Sequence, residues 1–367
     1  MDSTNKGWKS RVLTIDNPEW DRYVLKTEEC DVFHVNNYMK LFQETFNERA
    51  ALFIFGNEEE YLAYPHFFRD ITRLPFGSSL RENKRRYYDI ISPWYYGGIL
   101  YFGLASANRP ELYRRYYESF SSYCRENGII TEFGRLHPFS DAHEYVKPYL
   151  NIKRTGRVVY IDLTQSEEQI WNGMERSNRK RIRKGQEQGV SVIEGSTISD
   201  IDTFIGLYHG LMDRKGARDF YYFDLAFFKR LIELFPHQYR LLLAVYKKQV
   251  IGGLFLLGGK NCVHTYLSAS DPRYLYLSPN NILKYAGALL GKKEGYRTYI
   301  LGGGNSDVDA LFKFKRSFSP TVKDFNIYYR VYDTNVYNDL IILLKQYYKS
   351  LGIDKNYDNF FFPEYRR

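Results

Sequence analysis

The segment Leu311-Phe312-Lys313-Phe314-Lys315-Arg316-Ser317-Phe318 sets two lysines among phenylalanines, just downstream of the turn Gly302-Gly303-Gly304-Asn305-Ser306-Asp307. Side chains alternate along an extended backbone. Lys313 and Lys315 would then share one face, and Phe312 and Phe314 would anchor the other. Two ammonium groups beside a glycine turn suit a phosphate, or the oxyanion that develops on an attacked carbonyl. A solvated lysine face is the alternative. The turn itself follows a strand-like run but lacks the Gly-Lys-Ser/Thr ending of a phosphate loop and the spacing of a dinucleotide fingerprint. Read alone, it is a tight turn that needs positive φ. Asp307 and Asp309 stand next to it, either as a base for an attacking amine or as caps of the next segment.

Other chemistries find less support. The three cysteines, Cys30, Cys124 and Cys262, are far apart and odd in number, which argues against a disulfide framework. The seven histidines are scattered without ligand spacing, so no metal site is expected. Cys262 and His264 would lie on one face of a strand, where two buried residues are a simpler reading than a nucleophile pair. No Gly-x-Ser-x-Gly elbow occurs. At helical spacing Arg176, Arg179, Lys180, Arg183 and Lys184 form a basic stripe, suited to phosphates of RNA or lipid headgroups without sequence readout. Such a stripe also fits a merely solvated face. A non-catalytic RNA- or membrane-binding module is therefore the reading from a different class.

The elements that must position these residues are legible in outline. The chain of 367 residues carries a formal net charge of +9 and 35 tyrosines, which favours anionic partners and clefts both greasy and polar. Its length implies two domains. The start, Met1 to Ser10, has no apolar core of a secretory signal, and the run Val250 to Gly259 is too short to span a bilayer. A cytoplasmic protein is expected, with peripheral contact at an acidic membrane face as an extension. In the second half, Ile170 to Val190 reads as one amphipathic helix. Two further helices follow, then a hairpin around Lys247-Lys248-Gln249, a strand at 261–270, a helix from Asn281 to about Lys293, and the strand Arg297 to Leu301. The first half repeats the plan. Arg125-Glu126-Asn127-Gly128-Ile129-Ile130 lines up with Lys292-Lys293-Glu294-Gly295-Tyr296-Arg297, helix end to glycine to strand. The expected fold is mixed α/β. Its domains are 1–150 and 151–330, and 331–367 adds a C-terminal helix and tail.

With these pieces in place the sequence resembles the Fem-type (FemABX) branch of the GNAT-like acyltransferases, over roughly Trp20 to Arg330. In the first half the resemblance rests on DVFHVNNYMKLF, YYDIISPWYYGG and EFGRLHP. In the second it rests on SNRKRIRKGQEQGV, HTYLSAS, and SPNNILKYAGALLGKKEGYRTYILGGGNSD running into LFKFKRSF. The resemblance implies two tandem GNAT-like domains with a cleft at their junction. It also implies transfer of an amino acid from aminoacyl-tRNA to a peptidoglycan precursor. Ordinary GNAT enzymes hold coenzyme A pyrophosphate on a glycine-rich loop before a helix. Here Ser278-Pro279-Asn280-Asn281 takes that place without a glycine.

Carried over residue by residue, the resemblance implies Lys315 and Tyr266 as catalytic residues. It implies substrate contacts from Lys40, Arg218 and Tyr221, to which the reading above adds Lys313. No tightly bound cofactor is expected. The acyl donor is aminoacyl-tRNA, or else acyl-CoA acting on an amino sugar of a surface polysaccharide. The partners are a nucleotide- or lipid-linked cell-envelope precursor and tRNA.

Overall fold

The computed structural model describes residues 7–77, 86–104, 108–354 and 359–367. Residues 1–6 of the amino-terminal stretch and 355–358 of the tail lie outside the described residues. Two compact units are present, one made of 1–155 with 325–367 and the other of 156–324. The segment beyond Asp324 thus returns to the first unit and is not an appendage.

The first unit contains β1 (Lys9–Thr14), α1 (Trp20–Leu25), α2 (Asn36–Phe46), β2 (Arg49–Gly56), β3 (Tyr61–Asp70), β4 (Tyr88–Ile91), β5 (Leu100–Phe102), α3 (Arg109–Glu126), β6 (Ile129–Arg135) and α4 (Ala142–Val146). The chain leaves it within β7 (Asn151–Asp162). Its strands run in the order β1-β2-β3-β4-β6, with β5 on β3. All are antiparallel neighbours except β4 and β6, which are parallel and need a crossover, supplied by α3. Many tyrosines fill this core instead of lining a cleft. Tyr64, Tyr113, Tyr116, Tyr117 and Tyr328 are buried with Phe53 and Phe120, and Tyr328 donates its hydroxyl to Tyr64 at 3.0 Å.

The second unit contains α5 (Glu167–Gly173), α6 (Arg176–Glu187), β8 (Ser191–Gly195), α7 (Ile198–Lys215), α8 (Leu225–Leu234), β9 (Tyr239–Tyr246), β10 (Gln249–Gly258), β11 (Cys262–Ser270), α9 (Pro279–Lys293), β12 (Thr298–Gly302) and α10 (Ala310–Arg316). The chain returns to the first unit within β13 (Val322–Val331) and ends with α11 (Thr334–Ser350). The strand order is β7-β12-β11-β10-β9-β8. Again one neighbouring pair is parallel, β11 with β12, and a helix, α9, makes the crossover. Four antiparallel strands, a crossover helix and a parallel strand therefore occur twice. Even the helix ends agree: Gly128 after α3 and Gly295 after α9 both have positive φ, 66° and 85°. The duplicated plan read from the sequence is the plan of the fold.

The hairpin turns at Lys247 and Lys248, both at positive φ, as a two-residue turn of the twist-matched kind requires. The helix expected over 170–190 is two helices, broken at Met174 and Glu175. There the Glu175 backbone is extended, ψ 142°, and its N–H donates to Ser317 O at 2.9 Å instead of closing a helical turn. The Phe-Lys-Phe-Lys segment, expected to be extended, is the helix α10. Asp309 is the reason. Its carboxylate accepts from Phe312 N at 2.6 Å and so starts the helix. Among the described residues no helix is long and apolar enough to cross a membrane.

Candidate active site

Strand β11 and helix α9 pack face to face in the second unit, and an irregularity in β11 decides which side chains meet the helix. Leu256 pairs with Thr265 and Phe255 with Leu267, so Tyr266 is an extra residue, a β-bulge. Before the bulge, Val263 and Thr265 point to the α9 layer, where Val263 joins the core and Thr265 donates to the Tyr299 hydroxyl at 2.8 Å. After it, Ser268 and Ser270 take over that side. Ser268 Oγ stands 3.4 Å from Lys284 Nζ on α9.

Lys284 is 3% exposed. It shares the buried stripe of α9 with Asn281, Ala288 and Gly291, at the spacing of one helix face. Desolvation, reinforced by the charge of Lys315, pulls its ammonium down to about 7. Sequence reading missed this residue. Its signal was there: a lysine at heptad spacing within a stripe of small and apolar positions.

Lys315 sits in the last turn of α10, half-buried, and Nζ donates to Gly303 O at 2.7 Å. Desolvation pulls it down to about 8; Asp309 opposes that shift and Lys215, at the end of α7, adds to it. The glycine turn is built for this approach. Gly302 lies at φ 81°, and a Cβ there would come within 2.9 Å of Lys315 Nζ, while a Cβ on Gly303 would meet Arg157 O at 2.5 Å. The two candidate bases near the turn are both structural. Asp309 caps α10 and also accepts from Asn305 N at 2.6 Å, and Asp307 pairs with Arg157 at 3.0 Å.

Lys313 does not join Lys315. Because α10 is helical, residues two apart project to nearly opposite sides, and Lys313 is exposed. Tyr266 is buried at the bulge, two positions before Ser268 on the same strand. Arg218 and Tyr221 stand exposed on the turn after α7. The end of α7 itself reaches the end of β11, where Arg214 donates to Ser270 O at 3.4 Å. Lys40 belongs to the first unit. It is half-buried on α2 and lines a cavity of about 370 Å³ with Asp16, Asn17, Asp21 and Asn36. Cys262 and His264 are buried strand residues, and none of the three cysteines is in a disulfide.

On α6, Asn178, Ile182 and Gly185 face inward, and Arg176, Lys180, Arg183 and Lys184 are exposed. Arg179 donates to Asn172 at 3.1 Å and Arg183 lies over the Trp171 ring at 5.1 Å, so these two are held against α5. The inner face of α6 presses on the start of α9. Asn281 donates to Asn178 Oδ1 at 2.7 Å, and a Cβ on Gly185 would meet Leu277 O. The α9 amino terminus has few donors left for an anion. Pro279 has no N–H, and Asn281 N already donates to Ser278 O at 3.0 Å.

Residues 174–316 match the family described as Acetyltransferase (GNAT) domain. No curated protein matches the sequence significantly. Among solved structures, FemX superposes with a TM-score of 0.66 at 14% identity, covering 89% of this chain and 99% of its own. L-PGS from Bacillus licheniformis gives 0.53 at 9% identity, covering 86% and 92%. A tandem GNAT protein from the clavulanic acid biosynthesis pathway gives 0.52 at 9% identity, covering 89% and 98%. The chain therefore has the tandem GNAT-like fold of the Fem type, with its GNAT domain match over the unit that carries Lys284 and Lys315.

Proposed function

We propose that this protein is an acyltransferase that forms an amide on a cell-envelope precursor, with aminoacyl-tRNA as donor and a peptidoglycan precursor as acceptor. The observation that carries the reading is Lys315: a cation withdrawn from water, fixed by Gly303 O beside a glycine turn in the GNAT unit. An amine attacks the ester carbonyl, the C–N bond forms, and negative charge gathers on the carbonyl oxygen. A preorganised ammonium in a poorly solvated site lowers the energy of that state. Collapse breaks the C–O bond, and the ribose hydroxyl leaves with a proton. Lys315 and Tyr266 take the catalytic roles, and Lys40, Arg218 and Tyr221 the substrate contacts. Lys313 has no part.

Two features support the donor. The start of α9 has few free amides on which a pyrophosphate would rest, and the exposed cations of α6 offer a polyanion a surface. The resemblance of the sequence to the Fem-type branch points the same way. The second reading, an acyl-CoA donor, draws on the match to the acetyltransferase family over 174–316. Titrating the purified protein with acetyl-CoA and with a charged aminoacyl-tRNA mixture at two salt concentrations separates them. Salt-sensitive binding that prefers charged tRNA supports the first. Tight CoA binding overturns it in favour of the second.

A further inference from the structure

Amide formation needs a group to take the proton of the attacking amine, and Asp307 and Asp309 are both engaged elsewhere. We propose that Ser268 and Lys284 form the proton relay of this site, with the half-buried serine hydroxyl as the contact group and the enclosed lysine amine as the acceptor behind it. The inference rests on the acyl-transfer reading above and adds residues to it.

The geometry carries it. The bulge at Tyr266 turns Ser268 toward α9, where Oγ and Lys284 Nζ are 3.4 Å apart, a separation that commonly shortens when substrate fills a site. Ser268 is half-buried whereas Lys284 is 3% exposed, so one faces outward and the other is shut in. An ammonium in such a place is costly without a counter-charge. Its hydrogen-bond partner is Ser268 Oγ on β11, and among the described residues no carboxylate contributes to its electrostatics. The charge Lys284 does feel is a like charge, Lys315, whose own surroundings are Asp309 and Lys215. Of the two amines, Lys284 is held the lower and gives up its proton more readily.

The relay balances. As the substrate nitrogen bonds to the carbonyl carbon, its proton passes to Ser268 Oγ while the serine proton passes to Lys284 Nζ. When the C–O bond breaks, the same two protons return in reverse and the leaving oxygen departs as a hydroxyl. Nothing is oxidised or reduced, and no acyl bond to Ser268 is made.

The test measures transfer from charged aminoacyl-tRNA, and from acetyl-CoA, to a nucleotide-linked peptidoglycan precursor across pH 6–10, for the full chain and for Ser268→Ala, Lys284→Met and Lys284→Gln. The parent profile should rise through pH about 7 as Lys284 loses its proton and fall beyond about 8 as Lys315 does. Each variant should lower kcat by about 10²-fold or more with little change in KM, and should lose the rising limb. A retained rising limb in Lys284→Met overturns the relay while leaving the transferase reading intact. Acylated Ser268, found by mass spectrometry after incubation with donor alone, also overturns it, making the serine a nucleophile. Absence of transfer from both donors overturns the functional reading and the relay with it. Independently of activity, competitive amine labelling over the same pH range should show Lys284 becoming reactive near neutrality once opened by substrate-free breathing. Protection that persists with an alkaline midpoint overturns the proposal.

Discussion

The Lys315 ammonium donates to the Gly303 carbonyl at 2.7 Å, which ties the last turn of α10 to the glycine turn that follows β12. One hydrogen bond thus both positions the cation and orients the turn. The cap Asp309 holds the other end of the same short helix.

Replacing Lys315 with Ala should lower kcat by about 10²–10³-fold, the size of loss seen when one oxyanion donor is removed. Stability should not fall. The folded-state value lies below that of the unfolded chain, so the unfolded state binds more protons between them. The charged lysine therefore costs most below pH about 8, and the cost fades as pH rises through that value toward 10.5. Thermal unfolding at pH 6 and pH 10 checks this: Lys315→Met should gain a few degrees at the lower pH and less at the higher.

Gly303→Ala should be costly without touching any ionisable group. Its Cβ would stand 2.5 Å from Arg157 O, a backbone atom that cannot swing aside. A loss of about 1–3 kcal/mol in denaturant unfolding is expected, together with reduced kcat as the carbonyl that holds Lys315 is displaced.

Charge reversal on α6 separates binding from chemistry. Changing Arg176, Lys180 and Lys184 to Glu should weaken tRNA binding by more than about tenfold at low salt and flatten its salt dependence. The folded state should be unaffected, because these side chains are exposed. If the protein were a non-catalytic binding module, this variant would abolish function and Lys315→Ala would leave it intact. Filter binding and a cell-based assay of both variants decide between the two.

The first unit carries its own pH dependence. Glu132 is fully enclosed among tyrosines, and burial pushes its carboxyl up to about 7 despite the 2.6 Å bond from the Tyr332 hydroxyl. The folded state therefore holds a proton that the unfolded chain releases above pH 4.5. Stability should fall as pH rises from about 4.5 to about 7. Glu132→Gln keeps an acceptor for Tyr332 and should remove that slope, measured as the urea midpoint at pH 5 and pH 8.

What the sequence determined by itself was the order of elements and the fold class. Apolar periodicity marked α3, α7, α9 and α11, the turn at Lys247-Lys248 marked a hairpin, and Gly128 and Gly295 marked the same helix-to-strand corner twice. These are local signals, written over a few neighbouring residues. The placement of Lys315 beside the glycine turn was also legible, through the pattern of residues around it.

Only the tertiary structure decided where the other site groups face. Lys313 was lost as Lys315's partner because Asp309 caps the segment into a helix, and a cap competes with extended backbone only once the turn has formed. Lys284 stands in a stripe of small and apolar positions, but what encloses it is decided only when β11 is laid against α9. Ser268 reaches it because one extra residue at Tyr266 shifts the strand's facing, and a one-residue slip in a strand inverts every side chain after it. The sequence carries the alternation but not the register, since register is set by the pairing of strands distant along the chain.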